Sequence, residues 1–207
     1  MKTNVAIFVA GIFTNILVYF KLPSKVPVHF NFSGRPDRWG NKAEFLIEFL
    51  IFLVVIFLLY VLVPRIDPKR KELWNSRSYH LIFGVLLLFF ALFPLVPYLY
   101  IKGLSNLKLI NILIGVLFVL LGNYLPGIKP NYFVGIRTPW TLENETVWKK
   151  THRVGGWSFV LIGILIIFSV FLPASWSTTV LLILVCAVAF FLVLYSYILW
   201  WKISKEK

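Results

Sequence analysis

The stretch from Phe45 to Val63, FLIEFLIFLVVIFLLYVLV, is 19 residues long and carries one charged side chain, Glu48. A helix needs roughly 20 apolar residues to cross a hydrocarbon core of about 30 Å, so this run has the length of a transmembrane span. It lacks the alternation of a membrane barrel strand, and a helix satisfies its own backbone hydrogen bonds in lipid. Outward from it the same pattern recurs from Val5 to Phe20, Leu81 to Ile101, Leu107 to Leu125, Trp157 to Leu172 and Trp176 to Trp201. These runs predict an all-α fold: a polytopic membrane protein built as a six-helix transmembrane bundle. Residues 1–63 form an amino-terminal two-helix segment with a structured outer loop, and residues 64–207 a four-helix segment, together one membrane domain.

Composition agrees. The chain is 59% hydrophobic and 14% charged, with a mean hydropathy of +0.84, values that suit a bilayer rather than a water-facing surface. The formal charge of +13 sits in short segments between apolar runs, where it acts as an orientation signal, so no direct nucleic-acid binding is expected. Cys186, the single cysteine, excludes an intrachain disulfide framework. The first apolar run is followed by Lys21, Leu22 and Pro23 without a small-x-small cleavage site, which reads as a retained helix.

Orientation follows from the cations. The N-terminus, second loop, fourth loop and tail carry 14 Lys and Arg, against 7 in the first and third loops, which predicts a cell-membrane protein with both termini cytoplasmic. All eight tryptophans lie near the expected interfaces. Pro94 and Pro97 predict a kink in the third span. Asn111, Gly115 and Gly122 share one face of the fourth span and suit close helix contact, while Asn15 and Asn111 read as interhelical hydrogen-bonding groups. Beyond Glu48 the interior has no carboxylate chain for an ion relay, which disfavours ion-coupled transport.

Two loops carry the information. In the first, Pro27 to Asn31 reads as extended, followed by consecutive turns over Asn31–Gly34 and Pro36–Gly40. His29 and Asp37 are candidate metal ligands by type, but two ligands without a third make a poor site, so neither metal nor cofactor is expected. In the fourth, Thr138 before Pro139, or Thr141 before Glu143, supplies helix-start chemistry for a short interfacial helix between spans four and five. On that helix Glu145 and Lys149 are four apart, and Trp148 shares a face with His152. Gly135 permits unusual backbone geometry, so Arg137 is presented from a constrained turn beside Glu143, Glu145 and His152, to bind an anion or to close the loop by an ion pair. No nucleophile with a partnered base and no phosphate-cradling glycine loop is present, which argues against an enzyme.

At these loops the sequence resembles the SdpI-type bacteriocin immunity and signal-transduction family. The resemblance runs through Gly122 to Pro126, Lys129 to Leu142, Val147–Trp148, Thr151 to Arg153 and Gly156. The first loop, through Pro27, His29 to Asn31, Gly34, Pro36–Asp37, Gly40 and Lys42, is similar to the DUF1648-like segment often fused ahead of it. The resemblance implies a membrane protein that confers resistance to a secreted peptide toxin and, in the best-known member, senses that toxin and holds a cytoplasmic repressor at the membrane. The candidate binding residues in the inner loop are Asn131, Tyr132, Gly135, Arg137, Thr138, Pro139, Trp140, Glu143, Trp148, His152 and Arg153. In the outer loop they are His29, Asn31, Gly34, Asp37 and Lys42. Two other readings stand beside it: a small-molecule or lipid transporter with a polar path from Pro94 and Pro97 past Asn111 and Asn123, and a membrane enzyme using His152 with Arg137 and Glu143.

Overall fold

A computed structural model describes residues 2–31, 36–103 and 107–206. Six stretches are long and apolar enough to cross a membrane: Lys2–Lys21, Lys42–Ile66, Arg77–Ile101, Leu109–Gly127, Glu145–Phe171 and Thr179–Lys205. The chain is a multi-pass membrane protein. The elements that build it are α1 (Lys2–Lys21), β1 (Lys25–Phe30), β2 (Pro36–Asn41), α2 (Lys42–Ile66), α3 (Arg70–Trp74), α4 (Arg77–Leu92), α5 (Leu95–Ile101), α6 (Leu107–Tyr124), α7 (Pro139–Glu143), α8 (Glu145–Phe168) and α9 (Ala174–Lys205). The chain crosses back at each span, so the β1–β2 hairpin and the loop from Gly127 to Asn144 lie at opposite ends of the bundle.

The kink expected in the third span is a break. Phe93 and Pro94 separate α4 from α5, because a proline cannot supply the backbone N–H that the helix needs. In the first loop the extended stretch is β1, but Pro36–Asn41 is a strand and not a turn: β2 pairs antiparallel with β1, from Lys25 opposite Asn41 to Phe30 opposite Pro36. The apolar side of β1 is what holds it there. Val26 is fully buried among Val18, Leu22 and Phe45, fastening the hairpin to the ends of α1 and α2. Asn41 then starts α2, its side chain accepting from the Ala43 N–H at 2.9 Å.

Helices α6 and α8 meet backbone to backbone. A Cβ on Gly115 would lie 2.6 Å from the Gly163 carbonyl oxygen, and one on Gly122 2.7 Å from that of Gly156, with the reciprocal distances the same. Each helix thus places two glycines seven residues apart on the shared seam, the small-residue contact that membrane helices use in place of a hydrophobic driving force. Asn111 extends the seam, donating to Ser169 Oγ at 3.4 Å. Asn15 does otherwise: its amide returns to the Gly11 carbonyl of its own helix at 2.8 Å and bridges no neighbour among the described residues.

Helix α1 packs between α2 and α4, with Asn4 donating to the His80 carbonyl at 2.9 Å. Beside it a buried aromatic cluster closes the end of the bundle away from the hairpin. Tyr79 donates to the Tyr60 carbonyl at 2.7 Å, and His80 spans from the Tyr60 hydroxyl at 2.9 Å to the Trp74 carbonyl at 2.8 Å.

Candidate functional site

The loop between α6 and α8 is organised by Asn131, which is almost wholly buried. Its Oδ1 accepts from the N–H groups of Phe133 at 2.8 Å and Val134 at 2.6 Å, and its Nδ2 donates to the carbonyls of Lys129 and Val134, both at 2.9 Å. One side chain therefore replaces the regular ladder that four backbone groups would otherwise need. Asp67, which caps α2, ties this loop to the neighbouring one: Oδ1 accepts from Lys69 N at 2.7 Å and Oδ2 from Tyr132 N at 2.9 Å.

The chain then turns at Gly135, whose φ of +114° is closed to ordinary side chains. The turn delivers the Ile136 N–H to His152 Nε2 at 3.0 Å. His152, fully buried, donates from Nδ1 to the Trp148 carbonyl at 2.9 Å and stacks on the Trp148 ring at 4.0 Å. Its acceptor and donor are both satisfied by backbone, which fixes the neutral tautomer with the proton on Nδ1. Trp148 in turn donates to the Ile128 carbonyl at 2.8 Å.

Thr138 and Thr141 form a reciprocal capping box at the start of α7, with Pro139 in the first turn. Thr138 Oγ1 also meets Ser196 Oγ at 3.1 Å, Trp140 packs on Tyr197 with ring centres 5.1 Å apart, and Glu143 accepts from Trp200 Nε1 at 2.9 Å. Three successive contacts thus dock α7 on the end of α9. Asn144 caps α8 and accepts from Thr146 and Val147. The stretch with Glu145, Trp148, Lys149 and His152 is the opening of α8 itself and not a separate interfacial helix, since Gly155 and Gly156 continue the helix.

The predicted cluster around Arg137 does not assemble. Arg137 donates to the Tyr132 carbonyl at 2.7 Å, Glu143 is held by Trp200, and the exposed Glu145 pairs with Lys149 at 3.7 Å. His152 faces backbone rather than these side chains, so it is not placed as a base for a reacting group. What the loop presents outward is Arg137 with Tyr132, Phe133 and Leu142, all exposed on a scaffold whose backbone is tightly satisfied. Arg153 is exposed and lines a small cavity with Asn123 and Trp157.

At the other end, His29 Nδ1 and Asp37 Oδ1 are 2.6 Å apart across the hairpin. Among the described residues no group of three metal-ligating side chains exists. Lys42 donates to the Leu22 carbonyl at 3.4 Å and lies over the Tyr19 ring. Gly34 lies outside the described residues. Among the described residues, Asn111 lines the cavity beneath the hairpin and Asn123 the small cavity with Arg153. Sequence reading missed Asp67, His80 and Ser196, whose partners are remote in the chain; Asp67 could have been found as an acid directly after a span's last apolar residue.

Residues 127–196 match the SdpI/YfhL protein family, and residues 6–63 match DUF1648, a domain of unknown function. The first match contains the loop from Asn131 to Asn144 and all of α8, and the second contains the hairpin. The chain is 26% identical over 222 residues to "Immunity protein SdpI" of Bacillus subtilis strain 168, with 100% of each chain covered. It is 29% identical over 87 residues to an uncharacterized protein of Archaeoglobus fulgidus, covering 31% of this chain and 48% of that one. No solved structure matches.

Proposed function

Because the chain is of the SdpI type, with a DUF1648 segment ahead of the family's own, we propose that it is a membrane immunity protein that gives its cell resistance to a secreted antimicrobial peptide. The observation that carries this reading is likeness along the whole of both chains to a protein named for immunity, which takes in both loops and the spans between them. The charge asymmetry supports placing the termini and the Asn131–His152 loop in the cytoplasm and the hairpin outside.

In this reading the peptide meets the hairpin end of the bundle. The loop at the opposite end, with Arg137, Tyr132 and Phe133 exposed on a fixed backbone, is the surface for a cytoplasmic protein such as a repressor. A guanidinium among aromatic side chains is a combination enriched at protein–protein contacts. The test is protection: expression in a peptide-sensitive host is expected to raise survival against membrane-active peptides. Unchanged killing by every peptide in a broad panel, with the protein present in the membrane, would overturn the reading. Pull-down of a cytoplasmic regulator by wild type but not by Arg137→Ala tests the second half separately.

A further inference from the structure

Between the hairpin and the bundle lies a cavity of about 430 Å³. The break in the third span shapes its wall, where Phe93, Val96 and Pro97 face it instead of an unbroken helix. Phe45 and Phe49 of α2 also line it. The Phe49 ring lies 5.3 Å from that of Phe93 at an interplanar angle of 23°, and 4.7 Å from that of Phe45. The cavity is thus mainly apolar and aromatic, with a volume in the range of small-molecule sites.

Its polar lining has one sign that stands out. Glu48, exposed six residues into α2, has no hydrogen-bond or ion-pair partner among the described residues, whereas Asp37 is already paired with His29. Arg38 is engaged with Glu44 at 3.4 Å and Lys42 with Leu22, and no lysine or arginine is among the described lining residues. In a chain of formal charge +13, this pocket therefore offers an unpaired acid beside aromatic faces. A carboxylate attracts a cation, and so do aromatic faces.

We infer that the cavity binds a small cationic amphiphile, an alkyl- or arylalkyl-ammonium, with its nitrogen beside Glu48 and its apolar part against Phe45, Phe49 and Phe93. An anion is repelled by Glu48, and a neutral amphiphile leaves the carboxylate unpaired. A metal ion finds no group of three ligating side chains among the described residues. The site does not depend on the immunity reading, and it stands or falls by binding alone.

The experiment is calorimetric titration of octylammonium into the full chain in nanodiscs of zwitterionic lipid, with empty nanodiscs subtracted and octanol and octanoate as parallel titrants. Octylammonium is expected to saturate at one per chain and to bind at least tenfold more tightly than either analogue. Glu48→Gln is expected to lower its affinity at least tenfold with unchanged thermal unfolding, while Glu145→Gln at the far end leaves it as in wild type. Equal binding of octanol by wild type, or no saturable signal above empty nanodiscs, overturns the proposal whether or not the variants fold. So does a well-folded Glu48→Gln protein with wild-type affinity.

Discussion

The backbone at Gly135 lies directly against the imidazole of His152, so that a Cβ at position 135 would run into Nε2. The same nitrogen accepts the Ile136 N–H, and the φ of +114° at Gly135 is what aims that N–H. Two residues 17 positions apart are thereby fitted to one another with no room for a methyl group.

Gly135→Ala is therefore expected to lose the Ile136–His152 hydrogen bond and strain the turn, a combined cost of about 2–4 kcal/mol. Gly103→Ala is the control: Gly103 also has a positive φ, +69°, but a Cβ there meets nothing within 4 Å, so its cost is about 1–2 kcal/mol. Thermal unfolding in detergent compares them, and equal shifts would count against the His152 contact.

Asp67→Asn keeps one acceptor but replaces the other with a donor that faces an N–H. The Tyr132 or the Lys69 bond must be lost, at about 1.5–3 kcal/mol for a charge-assisted bond. Limited trypsinolysis at Arg137 should become faster than in wild type. An unchanged cleavage rate would mean that Asn131 holds the loop unaided.

On the α6–α8 seam, Gly115→Leu and Gly156→Leu must push the helices apart, because a backbone carbonyl oxygen of the facing helix is among the nearest atoms at each and cannot swing aside. We expect severe loss of folded protein for each, while Ser158→Ala, which removes only a bond to its own helix, stays near wild type. Recovery of monodisperse protein from membranes measures this; normal yields for the leucine variants would refute the close approach.

Arg137→Ala is expected to reduce protection against a peptide more than Lys149→Ala does. Arg137 is held by the Tyr132 carbonyl on a fixed loop, whereas Lys149 pairs with Glu145 in full view of solvent, a contact of little energetic value. Survival curves at matched expression decide the ordering, and equal survival of the two variants would contradict it.

The spans were legible because length and apolarity alone specify them, and Pro94 marked the break in the third. The second strand was not, since Pro36, Asp37 and Gly40 are turn residues locally and become a strand only through pairing with β1. The fifth span was read from Trp157, yet α8 begins at Glu145, and Gly156 serves helix contact inside it. Within the motif, the residue types were legible and their partners were not. Asn131, Thr138 and His152 bind mostly backbone, which a sequence does not display, so a cluster of charges around Arg137 looked more natural than the scaffold that forms.

Helix α2 joins the two ends of the molecule. It begins one residue after the hairpin's Asn41 and ends at Asp67, which grips Tyr132; its 25 residues make a rod about 37 Å long. Glu48 sits near one tip and the Asp67 carboxylate at the other. A tilt of this rod started at the hairpin would either carry the far loop along with it or break the Asp67–Tyr132 bond.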